Sequence, residues 1–477
     1  MKYEAVIGLE VHVQLKTKTK AFCGCVNEFG SKENTNICPV CLGLPGSLPV
    51  LNEKAYKMSM KVGLALDCVP RQCVKFDRKN YFYPDLPKNF QISQYDMPFA
   101  ENGALDIYVN GQDKKIRIKR VHLEEDAGKL MHPEGESYSL VDFNRAGAPL
   151  LEIVSEPDMH SPDDAYQYLT DLKLIIQYLD ISDCDMEKGS LRCDANISLR
   201  PEGQVKLGTK AELKNMNSFK AIKAALTYEI KRQEKILENK EPIAQETRLW
   251  DEEKEQTILM RSKEEAHDYR YFPEPDLPIF DLAGEEIQDI MDTLPELPKA
   301  KLGRFMGSYG FSQKDAAVII SSKGLADYFE SCLKFFNAPK PVANWLAGPV
   351  FSEMNSRNIS IVSLGLAPEH LAKLISRVED GSISRLVAKD VLSVMLKTSQ
   401  GPDAIIKDKG LQQVSGASEL NKIIDEAIAN NKKSVDDYLS GKENALMFLV
   451  GQVMKLSSGK ANPKAVKDMM TERLKKC

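Results

Sequence analysis

Four cysteines, Cys23, Cys25, Cys38 and Cys41, stand in a C-x-C, twelve-residue, C-x-x-C arrangement. Two close thiolate pairs can close a tetrahedron around Zn2+, whereas a redox dithiol needs only one pair. Structural zinc is the expectation, and buried or redox cysteines are the plain alternative. Just upstream, the run Glu10-Val11-His12-Val13-Gln14-Leu15 reads as a strand with Glu10 and His12 on one face. Glu152 interrupts the apolar run from Pro149 to Val154, where an unpaired buried carboxylate would be costly. Glu124, Glu125 and Asp126 crowd a strand end before Gly128, and adjacent acids repel one another unless a cation offsets them. One imidazole and several carboxylates describe a hard-cation site, with Mg2+ holding phosphate oxygens as its use. The alternative is that these groups are separate, solvated or ion-paired.

Two segments interleave aromatics with basic residues: residues 76–88, which include Arg78, Lys79, Tyr81 and Lys88, and residues 268–278, which include Tyr269, Arg270 and Tyr271. Such a mixture suits stacking on bases and pairing with phosphate, or simply packs loops onto a core. No G-x-x-x-x-G-K-[ST] occurs, so an ATP site would not be a P-loop, and no G-x-G-x-x-G opens a Rossmann unit. The fragment Lys57-Met58-Ser59-Met60-Lys61 falls inside an amphipathic helical stretch, Glu53 to Leu66, and is set aside as a nucleotide loop. There is no Gly/Ser-rich stretch of the kind that surrounds an amidase serine, so the chain is not expected to release ammonia from glutamine by itself.

These side chains need strands to hold them, and the first 290 or so residues supply period-two segments separated by Gly, Asn and Pro turns. Ser190 to Leu199 alternates with Arg192, Asp194, Asn196 and Ser198 on one face. A turn at Pro201-Glu202-Gly203 should return the chain as a strand from Gly208 to Asn215, with Lys210, Glu212 and Lys214 sharing a face, before a helix from Ser218 to about Glu238. Past Pro295-Glu296-Leu297-Pro298 the apolar spacing becomes helical. Ala367-Pro368-Glu369 starts one such helix, and Gly401-Pro402 offers a boundary. The expectation is an α+β fold: a large antiparallel-rich domain over residues 1–294, a helical domain over 295–402 and a helical tail over 403–477. In that tail Lys455, Lys460, Lys464, Lys467, Arg473, Lys475 and Lys476 face only Asp468 and Glu472 after residue 445, a candidate phosphate-contacting surface or a solvated helix face.

The 477 residues carry a net charge of −5, with 28% charged and 43% hydrophobic residues, which describes an ordinary globule and neither demands nor excludes nucleic acid. No run approaches the roughly eighteen apolar residues of a membrane span. The remaining cysteines, Cys68, Cys73, Cys184, Cys193, Cys332 and Cys477, lack regular spacing, and the start MKYEAVIG has no apolar signal segment, so a reducing cytoplasm is expected.

Taken in order, VIGLEVHVQLKTKTKAF (6–22), FDRKNYFYPDLPKNFQISQYD (76–96), HLEEDAGKL (122–130), PLLEIVSEPD (149–158), GSLRCDANIS (189–198), AELKNMNSF (211–219), DYRYFPEPDLP (268–278), FLVGQVMK (448–455) and GKANP (459–463) closely resemble the GatB family, the B subunits of bacterial tRNA-dependent amidotransferases. The resemblance runs from end to end. It implies a cradle-shaped α+β domain, a helical domain and a helical tail that meets tRNA. It also implies a heterotrimer with a glutaminase A subunit and a small C subunit, acting with ATP and Mg2+ on misacylated Glu-tRNA(Gln), Asp-tRNA(Asn) or both. Carried onto this chain, the metal-centred site falls on His12, Glu125 and Glu152, with Glu10 and Asp194 near that metal or a second one, and Lys79, Lys210 and Lys214 become candidate phosphate or carboxylate contacts. Zinc on the four cysteines would be structural, since members differ in having them. Two other readings stand beside this one: a non-catalytic tRNA-binding scaffold, and a stand-alone zinc hydrolase using His12 and Glu10. A closed four-cysteine zinc argues against the hydrolase.

Overall fold

Alternating polar and apolar residues give a strand two unlike faces, and the longest alternations of this chain meet in one nine-stranded sheet. In the computed structural model its strands are β1 (Tyr3–Gln14), β2 (Val69–Pro70), β3 (Ala100–Val109), β4 (Gln112–Glu125), β5 (Pro149–Ser155), β6 (Leu191–Pro201), β7 (Ala211–Lys214), β8 (Glu246–Asp251) and β9 (Gln256–Ser262). Their order is β9-β8-β7-β6-β1-β5-β4-β3-β2, antiparallel throughout except where β7 runs parallel to β8. The structure describes residues 2–262, 269–411, 417–442, 444–457, 461 and 463–474, and the chain divides into two units, Met1–Pro298 and Lys299–Cys477.

Three helices supply most of the partner for the apolar sheet face: α1 (Glu53–Ala65), α2 (Pro162–Tyr178) and α3 (Phe219–Glu238). Each starts where a side chain satisfies its free amides. Asn52 accepts from the Lys54 and Ala55 amides, Ser161 from Asp164 and Ser218 from Ala221. Leu9, Val11 and Val13 of β1, Leu151 and Ile153 of β5, and Ala195 and Ile197 of β6 bury against Met60, Leu172 and Ile222 of the helices. The 57–61 fragment lies within α1, where Met58 and Met60 are core residues.

The expected strand over 190–199 and the helix over 218–238 are present as β6 and α3. The return strand is shorter than expected: only Ala211–Lys214 is strand. Only from Ala211 does the chain pair with β6, at Ile197; Gly208, just before, is a close approach, where a Cβ would sit 2.1 Å from the Leu199 carbonyl oxygen. Lys210 therefore falls just outside the sheet.

The described residues of the second unit contain helices and no strand. One core gathers Phe305, Phe329, Trp345, Leu371 and Val391, and another gathers Leu420, Ile424, Leu449, Val453 and Met470. Pro368 opens a helix, as its position suggests. Gly401-Pro402 opens another, Pro402–Asp408, whose Ile405 and Ile406 bury in the first of these cores. In the basic tail Arg473 pairs with Asp425 at 2.7 Å, while Lys460, Lys475, Lys476 and the side chain of Lys464 lie outside the described residues. No described helix is long and apolar enough to cross a membrane.

Leu151 is fully buried on the helix-covered face. Leu151→Ala should cost about 2–5 kcal/mol through lost transfer energy and a residual cavity. Urea unfolding read from Trp250 in a Trp345→Phe background would check this, since the chain has only 2 tryptophans.

Candidate functional site

Strand register assigns the site to one face. His12 lies opposite Glu152 across β1 and β5, and Glu152 lies opposite His122 across β5 and β4. Cross-strand partners share a face and residues two apart on a strand do so too, so Glu124 joins them. The His12 Nε2 atom is 3.5 Å from Glu152 Oε2 and 3.6 Å from Glu124 Oε1, and His122 Nε2 is 3.1 Å from Glu152 Oε2. His12, Glu124 and Glu152 can each offer one ligand atom with all three within 4.8 Å of one another. One imidazole nitrogen and two carboxylate oxygens fit a divalent cation.

Glu125, expected beside His12 and Glu152, occupies the other face. It follows Glu124 by one residue, so its side chain turns to the side of Leu123 and Val121, where it is ion-paired with Lys88 and accepts the Ile92 amide at 2.8 Å. Gly147, Phe22 and the Arg78–Glu274 pair share its cavity of about 230 Å3. Glu124, expected only as one of three crowded acids, and His122, expected in no role, are the further residues that the strand register brings to this face. The spacing of His122 and Glu124, two apart before a strand end, carried the signal, but it becomes legible only with the β4–β5 register.

Electrostatics bind the cluster together. Burial pushes His12 down, but the Glu152 hydrogen bond and the charges of Glu152 and Glu124 hold it above the ordinary imidazole value. Burial likewise opposes ionisation of Glu152, yet the His122 charge and the His12 hydrogen bond keep its carboxyl well below the usual range. Lys79 reaches the same charge field: burial is outweighed mainly by Glu124, which holds its ammonium above the ordinary lysine value. Its Nζ lies 4.9 Å from the Tyr269 ring centroid.

The neighbouring strands extend the polar face. Arg192 lies opposite His12, and Asp194 opposite Glu10. Arg192 pairs with Asp126 at 2.8 Å, Glu10 accepts from Asn196 Nδ2 at 3.0 Å, and Lys214 bridges Asp194 and Glu212. A cavity of about 610 Å3 lined by Gln14, Asn27, Arg145, Arg192, Asp194 and Asn217 opens beside them. Lys210 stands apart, exposed at a smaller cavity of about 290 Å3 that it shares with Glu10 and Lys119.

The two aromatic segments come together. Phe272 pairs with Arg78 in register, the Asn80 amide bonds the Tyr269 carbonyl at 2.9 Å, and Tyr95 stacks on Tyr271 with centroids 4.3 Å apart. Arg78 is committed to Glu274 through two hydrogen bonds of 2.7 and 2.8 Å, so it serves this junction. Asp268 lies outside the described residues.

The sulfurs of Cys23, Cys25, Cys38 and Cys41 also lie within 4.8 Å of one another, none of them in a disulfide. Tetrahedral zinc thiolate requires sulfurs about 3.8 Å apart, so the donor set fits. Cys41 receives a hydrogen bond from Cys23 and one from the Cys38 amide, and these hold it below the ordinary thiol range against its burial.

Against known proteins, residues 5–288 match the family described as the GatB/GatE catalytic domain, and residues 327–474 match the GatB domain. A protein of Thermoanaerobacter sp. is 54% identical over 476 residues, covering 100% of both chains. One of Carboxydothermus hydrogenoformans is 54% identical over 478 residues, covering 100% of this chain and 99% of its own. One of Brevibacillus brevis is 51% identical over 473 residues, covering 99% of each. All three are named as the B subunit of an aspartyl/glutamyl-tRNA(Asn/Gln) amidotransferase.

Lys88 and Glu125 are both nearly inaccessible, with side chains 6% and 3% exposed. Glu125→Gln alone or Lys88→Met alone should each cost about 3–5 kcal/mol by stranding a buried charge. The double substitution should cost less than their sum, and a double-mutant cycle in urea would measure the difference.

Proposed function

The chain belongs to the GatB family of aspartyl/glutamyl-tRNA amidotransferase B subunits, and from that premise we propose that its polar sheet face activates the side-chain carboxylate of a misacylated tRNA. A carboxylate resists attack by ammonia because it is negatively charged and has no good leaving group. Transfer of the ATP γ-phosphoryl to a carboxylate oxygen supplies one. Ammonia, released from glutamine by the A subunit, attacks the acyl carbon, phosphate leaves, and the product is Gln-tRNA(Gln) or Asn-tRNA(Asn). The A subunit, a small C subunit and misacylated tRNA are the proposed partners, in the cytoplasm.

The observation that carries this reading is the single face shared by His12, Glu124 and Glu152, with Lys79 in the field of Glu124. His12, Glu124 and Glu152 would hold Mg2+, which when bound offsets charge on the phosphoryl oxygens. His122 lies 3.1 Å from the Glu152 oxygen that His12 also approaches and would orient that carboxylate, as outer partners of metal ligands do. Lys79 is placed to meet an anionic oxygen, and Arg192 and Lys214 to steer the phosphates or carboxylate that enter the 610 Å3 cavity. Glu10 and Asp194, opposite one another on β1 and β6, widen the acidic end of the site. The exposed Lys210 suits a peripheral phosphate contact. Glu125, facing away and tied to Lys88, is proposed to support the site through the wall it buttresses. The four cysteines would hold structural zinc. We keep the three-part division, with residues 403–477 as the tRNA-facing tail.

ATP hydrolysis by the purified heterotrimer, with misacylated tRNA and no glutamine, tests the reading. Glu124→Gln should lower turnover at least about 100-fold, with glutaminase activity and tRNA affinity retained. Unchanged turnover would leave this chain as a tRNA-binding scaffold and move phosphoryl transfer to a partner. Glu125→Ala in the same assay should also lose activity, but with a loss of stability that Glu124→Gln does not share.

A further inference from the structure

Lys20 is fully buried, and nothing in the activation chemistry uses it. Its Nζ donates to the Asn36 carbonyl at 2.7 Å and the Phe143 carbonyl at 3.5 Å, and lies 3.7 Å from Cys41 Sγ. No carboxylate is among these partners. A buried ammonium is costly unless a full negative charge meets it, and two carbonyl dipoles supply only part of one. The remaining partner is a cysteine of the four-sulfur cluster.

The backbone of the same residue serves the other half of that cluster. The Lys20 amide donates to the Cys25 carbonyl at 3.0 Å. One residue thus clasps the C-x-C half through its main chain and the C-x-x-C half through its side chain. Four thiolates around Zn2+ leave an excess of negative charge in a partly buried loop, and Lys20 is the cation in contact with it.

We infer that Lys20 is the counter-charge that sets how firmly the four-cysteine cluster holds its metal, acting as a positioning residue through Cys41. The inference rests on the zinc reading of the cluster. It also ties the metal loop to the sheet: Phe143, which receives the Lys20 ammonium, leads to Gly147, whose carbonyl accepts the Ala21 amide and whose amide bonds the Asp126 carbonyl. Asp126 in turn holds Arg192 beside His12.

The test is zinc content of the full chain by mass spectrometry, followed by the rate of zinc release to an excess of chromophoric chelator. Lys20→Gln keeps hydrogen-bond donors and loses the charge, whereas Lys20→Arg keeps both. Release should be at least about tenfold faster from Lys20→Gln than from wild type, a typical effect of losing an outer partner, and Lys20→Arg should stay within about threefold of wild type. Lys20→Gln protein that retains zinc as wild type does would overturn the inference. So would Lys20→Arg protein that releases zinc as fast as Lys20→Gln. A wild-type chain that purifies without zinc from zinc-supplemented, reducing medium would instead sink the zinc reading itself, and the two failures are told apart by the wild-type content alone.

Discussion

The register of three adjacent strands is the constraint on which the rest depends. β1, β5 and β4 pair so that His12, Glu152 and His122 lie in one row across the sheet, with Glu124 one step along the same face. A slip of one residue in either pairing would send these groups into the apolar face and bring Val13, Leu151 or Leu123 out. The register is held because that apolar face is closed by α1, α2 and α3. Packing on one side of the sheet therefore fixes the chemistry on the other, and the buried ionic groups need no rigidity of their own. They inherit it from a core in which Leu9, Val11, Leu151 and Ile153 have no alternative place to go.

Local pattern carried much of this. The alternating runs at 10–15 and 190–199 and the apolar run at 149–154 fall, but for Leu15 and Ser190, in strands of the central sheet, and the caps at Asn52, Ser161 and Ser218 begin the helices that cover it. The helical change after 295 is equally plain, because apolar spacing at 3.6 residues needs no partner to be seen. The cysteine cluster was legible for the same reason: two pairs of short spacing bring their own geometry, and a single loop suffices to close them. Family resemblance added what no periodicity contains, the reaction and the partners.

What stayed hidden is non-local. Glu124 and Glu125 are neighbours of the same type, and only pairing of β4 with β5 reveals which one faces His12. His122 shows no partner within its own segment, and only the pairing of β4 with β5 sets it opposite Glu152. Arg78 looked like a phosphate ligand by composition, but 196 residues separate it from the Glu274 that occupies it. Lys20 ends a run of alternating lysines and threonines, and its burial is set by Asn36, Cys41 and Phe143, which arrive from elsewhere in the chain. In each case side-chain type was visible and the partner was not.

The charges at the site also determine how a cation must enter it. Glu152 and Glu124 hold His12 above its ordinary value despite burial, so the two carboxylates favour the protonated imidazole. In the proposed metal site that imidazole would have to be neutral to ligate a divalent cation, so cation binding would be coupled to proton release. Lowering the pH through the raised His12 value strengthens the competitor and weakens the metal. His122 adds to this, because from the neighbouring strand it approaches, at 3.1 Å, the same Glu152 oxygen as His12. The two histidines thus hold the Glu152 carboxyl well below its usual range. In the proposed reaction the ion pairs of this cluster are the charge balance that cation, phosphate and carboxylate would have to replace.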